Sequence, residues 1–335
     1  MLEFRNENEI NLDDWSKFVF NSKYGNIFNT PEFFKVHKIS GETKPNAIFL
    51  LDNSKIKGLL IYYKHIESSF ILRNFASRNI IWGGPIFNDD KIILFELLNK
   101  YLGTKHNVVF SQIRNLYNTE EYCKIFYELG FNKIDHLDIH FNLNDGEENL
   151  WKNIHSSRRH NIRVSYKKGI YVRLIKRNEK ELIDRAYEII STLYKKIKLP
   201  LYSKDFFINS LNILLPINYL KIFGAFLDNK LIGVRYILCY KNILYDWYAG
   251  SDEKYLKYRP NDIIPWEVIK WGVNNGYEIF DFGGAGKPDL KYSVRDYKMR
   301  FGGEVVNFGR YEFTHKSLLM KAMKMGLNIR KIFKI

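Results

Sequence analysis

Two cysteines in 335 residues, Cys123 and Cys239, are too few and too far apart for a disulfide framework or a metal-ligand spacing. Both read as small packing hydrophobes in a reducing compartment. No apolar stretch approaches the roughly 18 residues of a membrane span. The start, MLEFRNENEINLDD, is polar and acidic and lacks the basic and apolar runs of a secretory signal, so a soluble, cytoplasmic chain is expected. The eight histidines are scattered, and His155 and His160 form no H-E-x-x-H arrangement, which argues against a metal site. Ser156 and Ser157 have no nucleophile-elbow context and read as capping or loop residues. Acid is missing from residues 151–177, which hold nine Lys+Arg and no Asp or Glu.

What is present is apolar, aromatic and, in one half, strongly basic. Apolar residues make up 46% of the chain and aromatics 16%, enough for globular cores, and the length favours two domains. Residues 1–150 carry a net −3 and residues 151–335 a net +18, so the whole +15 excess lies in the second half. That asymmetry points to a polyanion or an anionic surface as partner. In the basic run, Arg158, Arg159, Arg163, Lys167 and Lys168 fall on one helix, where like charges repel unless phosphates or carboxylates neutralise them; the alternative is a solvated helix face.

Two segments, NAIFLLDNSKIKGLLIYYKHIESSFILRNF and YLKIFGAFLDNKLIGVRYILCYKNILYDWYAG, alternate apolar runs with turn residues, as antiparallel hairpins do. Helical periodicity flanks each of them: DKIILFELLNKYLG and TEEYCKIFYELGF in the first half, EKELIDRAYEIISTLYKKI and NDIIPWEVIKWGVNNG in the second. The fold class expected is therefore α+β, one mainly antiparallel sheet with flanking helices in each half. The acidic, turn-rich Asn144–Glu148 clause sets the boundary, giving domains at 1–148 and 149–314. Residues 315–335 follow as a basic amphipathic helix, docked on the domain or laid on an anionic membrane.

The stretch FDFGGAGKPDLKYSVRDYKMRFGGE, 280–304, holds the strongest candidate site. A short strand delivers Asp281 to glycines 283, 284 and 286, where a ligand can approach the main chain closely. Lys298 follows between Tyr297 and Phe301, partly out of water, as a fixed cation beside a developing negative charge or as a base. A lysine snorkelling past core rings is the structural alternative. Asp281 reads as a proton relay or as a turn cap.

The order YDWYAG, IIPWEVIKWGVNNGYEIFDFGG and YKMRFGGE resembles the second domain of the Fem-type (FemABX) aminoacyltransferases. SSRRHNIRVSYKKGIYV resembles the entry to that domain, and NIFNTPEFFKVH and WGGP resemble first-domain signatures. The resemblance spans nearly the whole chain. It implies two tandem domains of the Gcn5-related N-acetyltransferase (GNAT) type, and transfer of an amino acid from aminoacyl-tRNA to an amine of a peptidoglycan-type precursor. No resident cofactor is implied. By resemblance Lys298 is the catalytic candidate, and Lys35 matches a first-domain lysine that holds precursor phosphates. Trp82 and Tyr248, within the matched motifs, join Gly283, Gly284, Tyr297 and Phe301 as substrate-binding candidates.

Three departures narrow the implication. The segment Glu179–Leu215 is too short for the helical hairpin that larger members insert. Lys196 or Lys198 stands where some members carry an arginine, which loses bidentate phosphate recognition. The loop GSDEKYLKYRPNDII lacks a Gly-rich pyrophosphate cradle, although Lys257 and Arg259 offer charge. Expected partners are therefore aminoacyl-tRNA and a nucleotide- or lipid-linked cell-wall precursor, with possible membrane contact through 315–335 and a monomeric chain. An acyl-CoA-dependent N-acyltransferase acting on an amino sugar, and a non-catalytic RNA- or membrane-surface binder, are the alternative readings.

Overall fold

Asn53 and Ser54, and again Asp228 and Asn229, take positive φ, the left-handed conformation that a tight two-residue turn requires and that Asn and Asp tolerate. These are the turns expected between the apolar runs. The computed structural model describes residues 2–65 and 77–321. It places the chain in two compact units, one made of the residues up to Asp135 together with those from Phe308 onward, the other of His136–Asn307.

The first unit runs β1 (Leu2–Asn6), α1 (Leu12–Asn21), α2 (Pro31–Ser40), β2 (Thr43–Asp52), β3 (Lys55–His65), β4 (Arg78–Gly83), α3 (Lys91–Gly103), β5 (Phe110–Asn115), α4 (Cys123–Glu128) and β6 (Asn132–Ile134). The second runs β7 (Leu137–Asn142), α5 (Gly146–Asn153), α6 (Ser156–Lys167), β8 (Tyr171–Leu174), α7 (Lys180–Lys196), α8 (Lys204–Leu214), β9 (Leu220–Leu227), β10 (Lys230–Tyr240), β11 (Ile243–Ser251), α9 (Pro260–Asn274), β12 (Ile279–Gly286), α10 (Ser293–Met299) and β13 (Glu304–Val306). The chain then returns to the first unit as β14 (Arg310–Thr314). Both units are mainly antiparallel seven-stranded sheets flanked by helices, in the orders β1-β2-β3-β4-β5-β14-β6 and β8-β9-β10-β11-β12-β7-β13.

The central strands read as nearly unbroken apolar runs because both faces are covered. In β2, Ile48 and Leu50 pack with Leu94 and Leu97 of α3, while Phe49 turns the other way onto Trp15 of α1. In the second unit, Ile263, Ile264, Val268 and Ile269 of α9 join Phe223, Ile237 and Phe280 in one core.

The observed division corrects the boundaries read from the sequence, 148/149 and 314/315. The second neighbour of β5, after β4, is β14, and that of β12, after β11, is β7. The strands following β6 and β13 are thus each built into the other sheet, a non-local pairing that no turn residue announces. The acidic Asn144–Glu148 clause forms a 3-10 turn and the first residues of α5, inside the second unit. Between Glu179 and Leu215 lie only α7 and α8, so no coiled-coil arm is inserted. The helix expected over 315–335 lies outside the described residues beyond Lys321. Among the described residues no helix is long and apolar enough to cross a membrane.

Candidate active site

Helix α9 ends at Asn274, Gly276 reverses the chain at φ +73°, and β12 runs out beside β11. The two strands are parallel and pair over three positions only, Ile243↔Ile279, Leu244↔Phe280 and Tyr245↔Asp281. Beyond them each strand bulges. Trp247 is the extra residue on β11, where Tyr236↔Tyr248 is followed by Ile237↔Asp246, and β12 shifts register against β7 between Asp281 and Gly284 and again before Gly286. Bulges bend strands and end pairing, so β11 and β12 part here, leaving Asp246 and Gly283 at the fork. Gly283 takes φ +77°, and a Cβ on it would lie 3.6 Å from both the Asp246 carbonyl oxygen and Lys298 Nζ. An L side chain at that point would make ordinary contacts but would be strained by the positive φ.

Lys298 is delivered by α10, which is seated by its two aromatic neighbours. Phe301, 1% exposed, packs edge-on against Phe282 at 5.6 Å between centroids. The Tyr297 hydroxyl donates to the Asn261 carbonyl. That carbonyl is available because Pro265, four residues on in α9, has no N–H to claim it. Burial pushes the Tyr297 hydroxyl up to about 12, so it stays a donor. Lys298 Nζ donates to the carbonyls of Phe282 (2.5 Å) and Gly284 (3.1 Å) and lies 5.2 Å from the Phe282 ring centroid. An ammonium has three donors, so one is left for a ligand. Burial lowers the Lys298 pKa, opposed mainly by the charge of Asp246.

Asp281 is buried, and its carboxylate accepts from the Gly283 N–H at 2.7 Å while its second oxygen lies 3.6 Å from His140 Nε2. The geometry is that of a cap on the glycine turn. Burial works against a charged His140, but the neighbouring carboxylates of Asp281 and then Asp138 outweigh it and raise the imidazole pKa. The residue that sequence reasoning missed is Asp246, which accepts from Arg235 Nη1 at 2.7 Å with both side chains buried. A lone arginine in the apolar strand IGVRYILCY was the available signal, since a buried charge requires a partner.

Of the other candidates, Gly284 supplies a carbonyl to Lys298, and Phe301 is core with no surface for substrate. Tyr248 packs against Phe207 and Tyr194, 4.9 and 5.8 Å between centroids, on the α7–α8 side of the sheet. The basic helix α6 divides. Arg158 is ion-paired with the buried Asp262 and stacks 4.6 Å from the Tyr297 ring centroid, and Arg159 donates to the carbonyls of Lys152 and Ile154 at the end of α5. The Arg158 charge is thus met by a carboxylate inside the fold, whereas Arg159 is held by neutral carbonyls and keeps its charge. Arg163, Lys167 and Lys168 are exposed, Lys168 reaching the Lys257 carbonyl at 3.0 Å. Lys257 and Arg259 are exposed too, with Arg259 at φ +62° before α9. Lys196 pairs with Glu253, and Lys198 lies in the α7–α8 connection.

The start of α9 is a poor pyrophosphate cradle. Pro260 has no N–H, the N–H groups of Asp262 and Ile263 are on the Arg259 carbonyl, and the Asp262 carboxylate occupies the first turn. In the first unit, Lys35 is exposed on α2, and Trp82 stacks between Phe28 (5.7 Å) and the Arg114 guanidinium (4.3 Å). Among the described residues no group of three His, Cys, Asp or Glu is placed to hold a metal.

Residues 154–299 match the family described as acetyltransferase (GNAT) domain. No curated protein sequence is similar to the chain. Among solved structures, FemX superposes with a TM-score of 0.74 at 13% identity, covering 96% of this chain and 99% of that one. The C-terminal domain of a putative lysylphosphatidylglycerol synthetase from Agrobacterium fabrum gives 0.58 at 10% identity, covering 94% and 95%. A tandem GNAT protein from the clavulanic acid biosynthesis pathway gives 0.57 at 7% identity, covering 94% and 98%. The chain has the tandem GNAT-like fold of FemX, with the acetyltransferase-type match falling on the unit that contains the fork and Lys298.

Proposed function

We propose that the protein is an acyltransferase that moves an aminoacyl group from aminoacyl-tRNA to an amine of a peptidoglycan-type cell-wall precursor. The observation that carries this reading is the half-buried Lys298 ammonium, fixed on two carbonyls at the β11–β12 fork with one donor to offer. A neutral amine attacks the ester carbonyl, and the C–N bond forms as charge collects on the carbonyl oxygen. Lys298 donates its remaining N–H to that oxyanion. The ester C–O bond then breaks, the ribose oxygen leaves with the proton given up by the amine, and an amide remains. The cation is held in place before the reaction, so little reorganisation is needed as charge develops.

Two further observations support tRNA as the donor over an acyl-CoA. The start of α9 has few free N–H groups for a pyrophosphate, and the outer face of α6 offers Arg163, Lys167 and Lys168 to a phosphate backbone. The test is amide formation from charged tRNA pools and from acyl-CoAs, with purified precursors as acceptors, read by mass spectrometry. Wild-type turnover with charged tRNA, reduced about 10² to 10³-fold in Lys298→Ala with folding intact, is expected. Binding of tRNA should weaken steeply with salt. Turnover with acyl-CoA alone, or no loss in K298A, refutes the reading.

A further inference from the structure

Arg235 and Asp246 are charged residues set inside strands β10 and β11, with side chains 6% and 11% exposed. Arg235 donates to Asp246 Oδ2, while Asp246 Oδ1 and Arg235 Nε are buried with no hydrogen-bond partner. Desolvating two ions costs several kcal/mol each, and apolar residues of similar volume would hold two strands together as well or better. The pair therefore calls for a role beyond packing.

Its position supplies one. Asp246 is the first residue of β11 beyond the last pairing with β12, and a Cβ placed on Gly283 would lie 3.6 Å from both its carbonyl oxygen and Lys298 Nζ; Arg235 and Lys298 also meet the same Phe282 ring, at 5.0 and 5.2 Å from its centroid. Lys298 rests on two carbonyls, which are dipoles without formal charge. An ammonium withdrawn from water with no counter-charge is driven to release its proton. We propose that Asp246, locked by Arg235, is the positioning residue of this site, whose carboxylate keeps Lys298 an ammonium while it is out of water.

The charges facing Lys298 come from each strand around it: Asp246 of β11, Arg235 of β10, Asp281 of β12 and Asp138 of β7. Arg235 repels the ammonium, and Asp281 is engaged with the Gly283 N–H and His140. Burial pulls the Lys298 pKa down and Asp246 is the largest influence holding it up; burial pushes the Asp246 pKa up and Arg235 is the largest influence opposing that. Tyr194 of α7 and Tyr297 of α10 also face Asp246; burial keeps both phenols protonated and neutral. The relay runs from guanidinium to carboxylate to ammonium.

The role rests on the proposed acyl transfer, but its test needs no substrate. Protein labelled with 13C-lysine is titrated by NMR, with the Lys298 ε-methylene resonance assigned by its disappearance in Lys298→Arg. In Asp246→Asn the titration should fall by roughly 1 to 2 pH units, and in Asp246→Glu, which keeps the charge, it should stay near wild type. Should the amide variant fail to fold, Asp246→Ser carries the same expectation. A Lys298 titration unmoved by loss of the carboxylate overturns the role of Asp246 and leaves the proposed reaction standing. Absence of aminoacyl transfer by the wild type overturns the reaction and leaves the titration result standing.

Discussion

Replacing Arg158 by Met separates the two ways in which the basic run on α6 can be read. Asp262, its partner, has a side chain only 5% exposed, against 17% for Arg158. Removing one member of a buried pair leaves the other charge uncompensated, at about 3 to 5 kcal/mol. Asn161 lies 3.4 Å from the other Asp262 oxygen, and the partial exposure of Arg158 admits water to the gap, so the low end applies. The cation also leaves the Tyr297 and Phe301 rings, 4.6 and 5.8 Å from its guanidinium carbon, each contact worth about 0.5 to 1 kcal/mol. A loss of about 4 to 5 kcal/mol results. Four of the six tryptophans, at 151, 247, 266 and 271, belong to the second unit, so urea unfolding followed by tryptophan emission mainly tracks the unit that holds the pair. With a urea slope of about 2 kcal/mol/M, the midpoint falls by roughly 2 to 2.5 M. Arg158→Met combined with Asp262→Asn recovers much of the loss, because no charge is then left buried. Arg163→Gln, exposed on the outer face of the same helix and 5.4 Å from the Trp151 ring centroid, costs at most about 1 kcal/mol and instead flattens the salt dependence of tRNA binding by about one unit of slope. An Arg158→Met protein that unfolds with the wild type but no longer binds tRNA refutes this assignment.

Tyr297→Phe leaves the Asn261 carbonyl without the hydroxyl it accepts from, at about 1 to 3 kcal/mol; adding Pro265→Ala supplies a helix N–H to that carbonyl, so the double variant should melt closer to wild type than Y297F alone. Acid should act on the two units in opposite senses. Burial lowers the pKa of His37, His65, His106 and His315 in the first unit, to about 3 for His65 and about 4 for His315, so their contribution is full above 6.5 and is lost as pH falls through those values. His140 of the second unit has a raised pKa, so its contribution is full below 6.5 and is lost as pH rises through the raised value. Hydrogen exchange corrected for intrinsic rates, compared at pH 7 and 4.5, should show the first unit losing protection before the second; the reverse order rejects the assignment.

Local chemistry was legible in the sequence and long-range pairing was not. Asp228-Asn229 and Asn53-Ser54 announce turns because their side chains tolerate positive φ, and the 3.6-residue spacing of α7 and α9 follows from the face each buries. Nothing in NKIDHLDIH marks the two residues, Asp135 and His136, at which the chain leaves one sheet for the other. The basic run could be seen as basic but was not resolved into faces. Ile162 and Ser165 are the buried positions of α6, and Arg158, four residues before Ile162, shares their stripe and finds Asp262, whereas Arg163 falls outside it. Lys298 was found through its aromatic flanks and its motif. Asp246 was passed over although Arg235 lies only eleven residues earlier on the paired strand, because the bulge at Trp247 that sets their register is not marked in the sequence.

The two sheets, so alike in order, differ at their parallel pairs, and that difference accounts for where Lys298 is seated. In the first unit the parallel pair β4 and β5 stays in register over six positions, from Arg78↔Phe110 to Gly83↔Asn115. At its end the Asn26 side chain donates to the Gly83 carbonyl, and a Cβ on Gly83 would meet that side chain at 2.3 Å, so the WGGP turn is closed by its own neighbours. In the second unit the matching pair stops after three positions, because β11 and β12 each carry an extra residue at the same level. A parallel pair that remains zipped has its N–H and C=O groups committed to the ladder; one that forks exposes main-chain carbonyls that need donors. At the fork those carbonyls, of Phe282 and Gly284, are taken by Lys298. The bulges thus create both the opening and the seat of the cation, and a lysine placed at the corresponding point of the first unit would find neither.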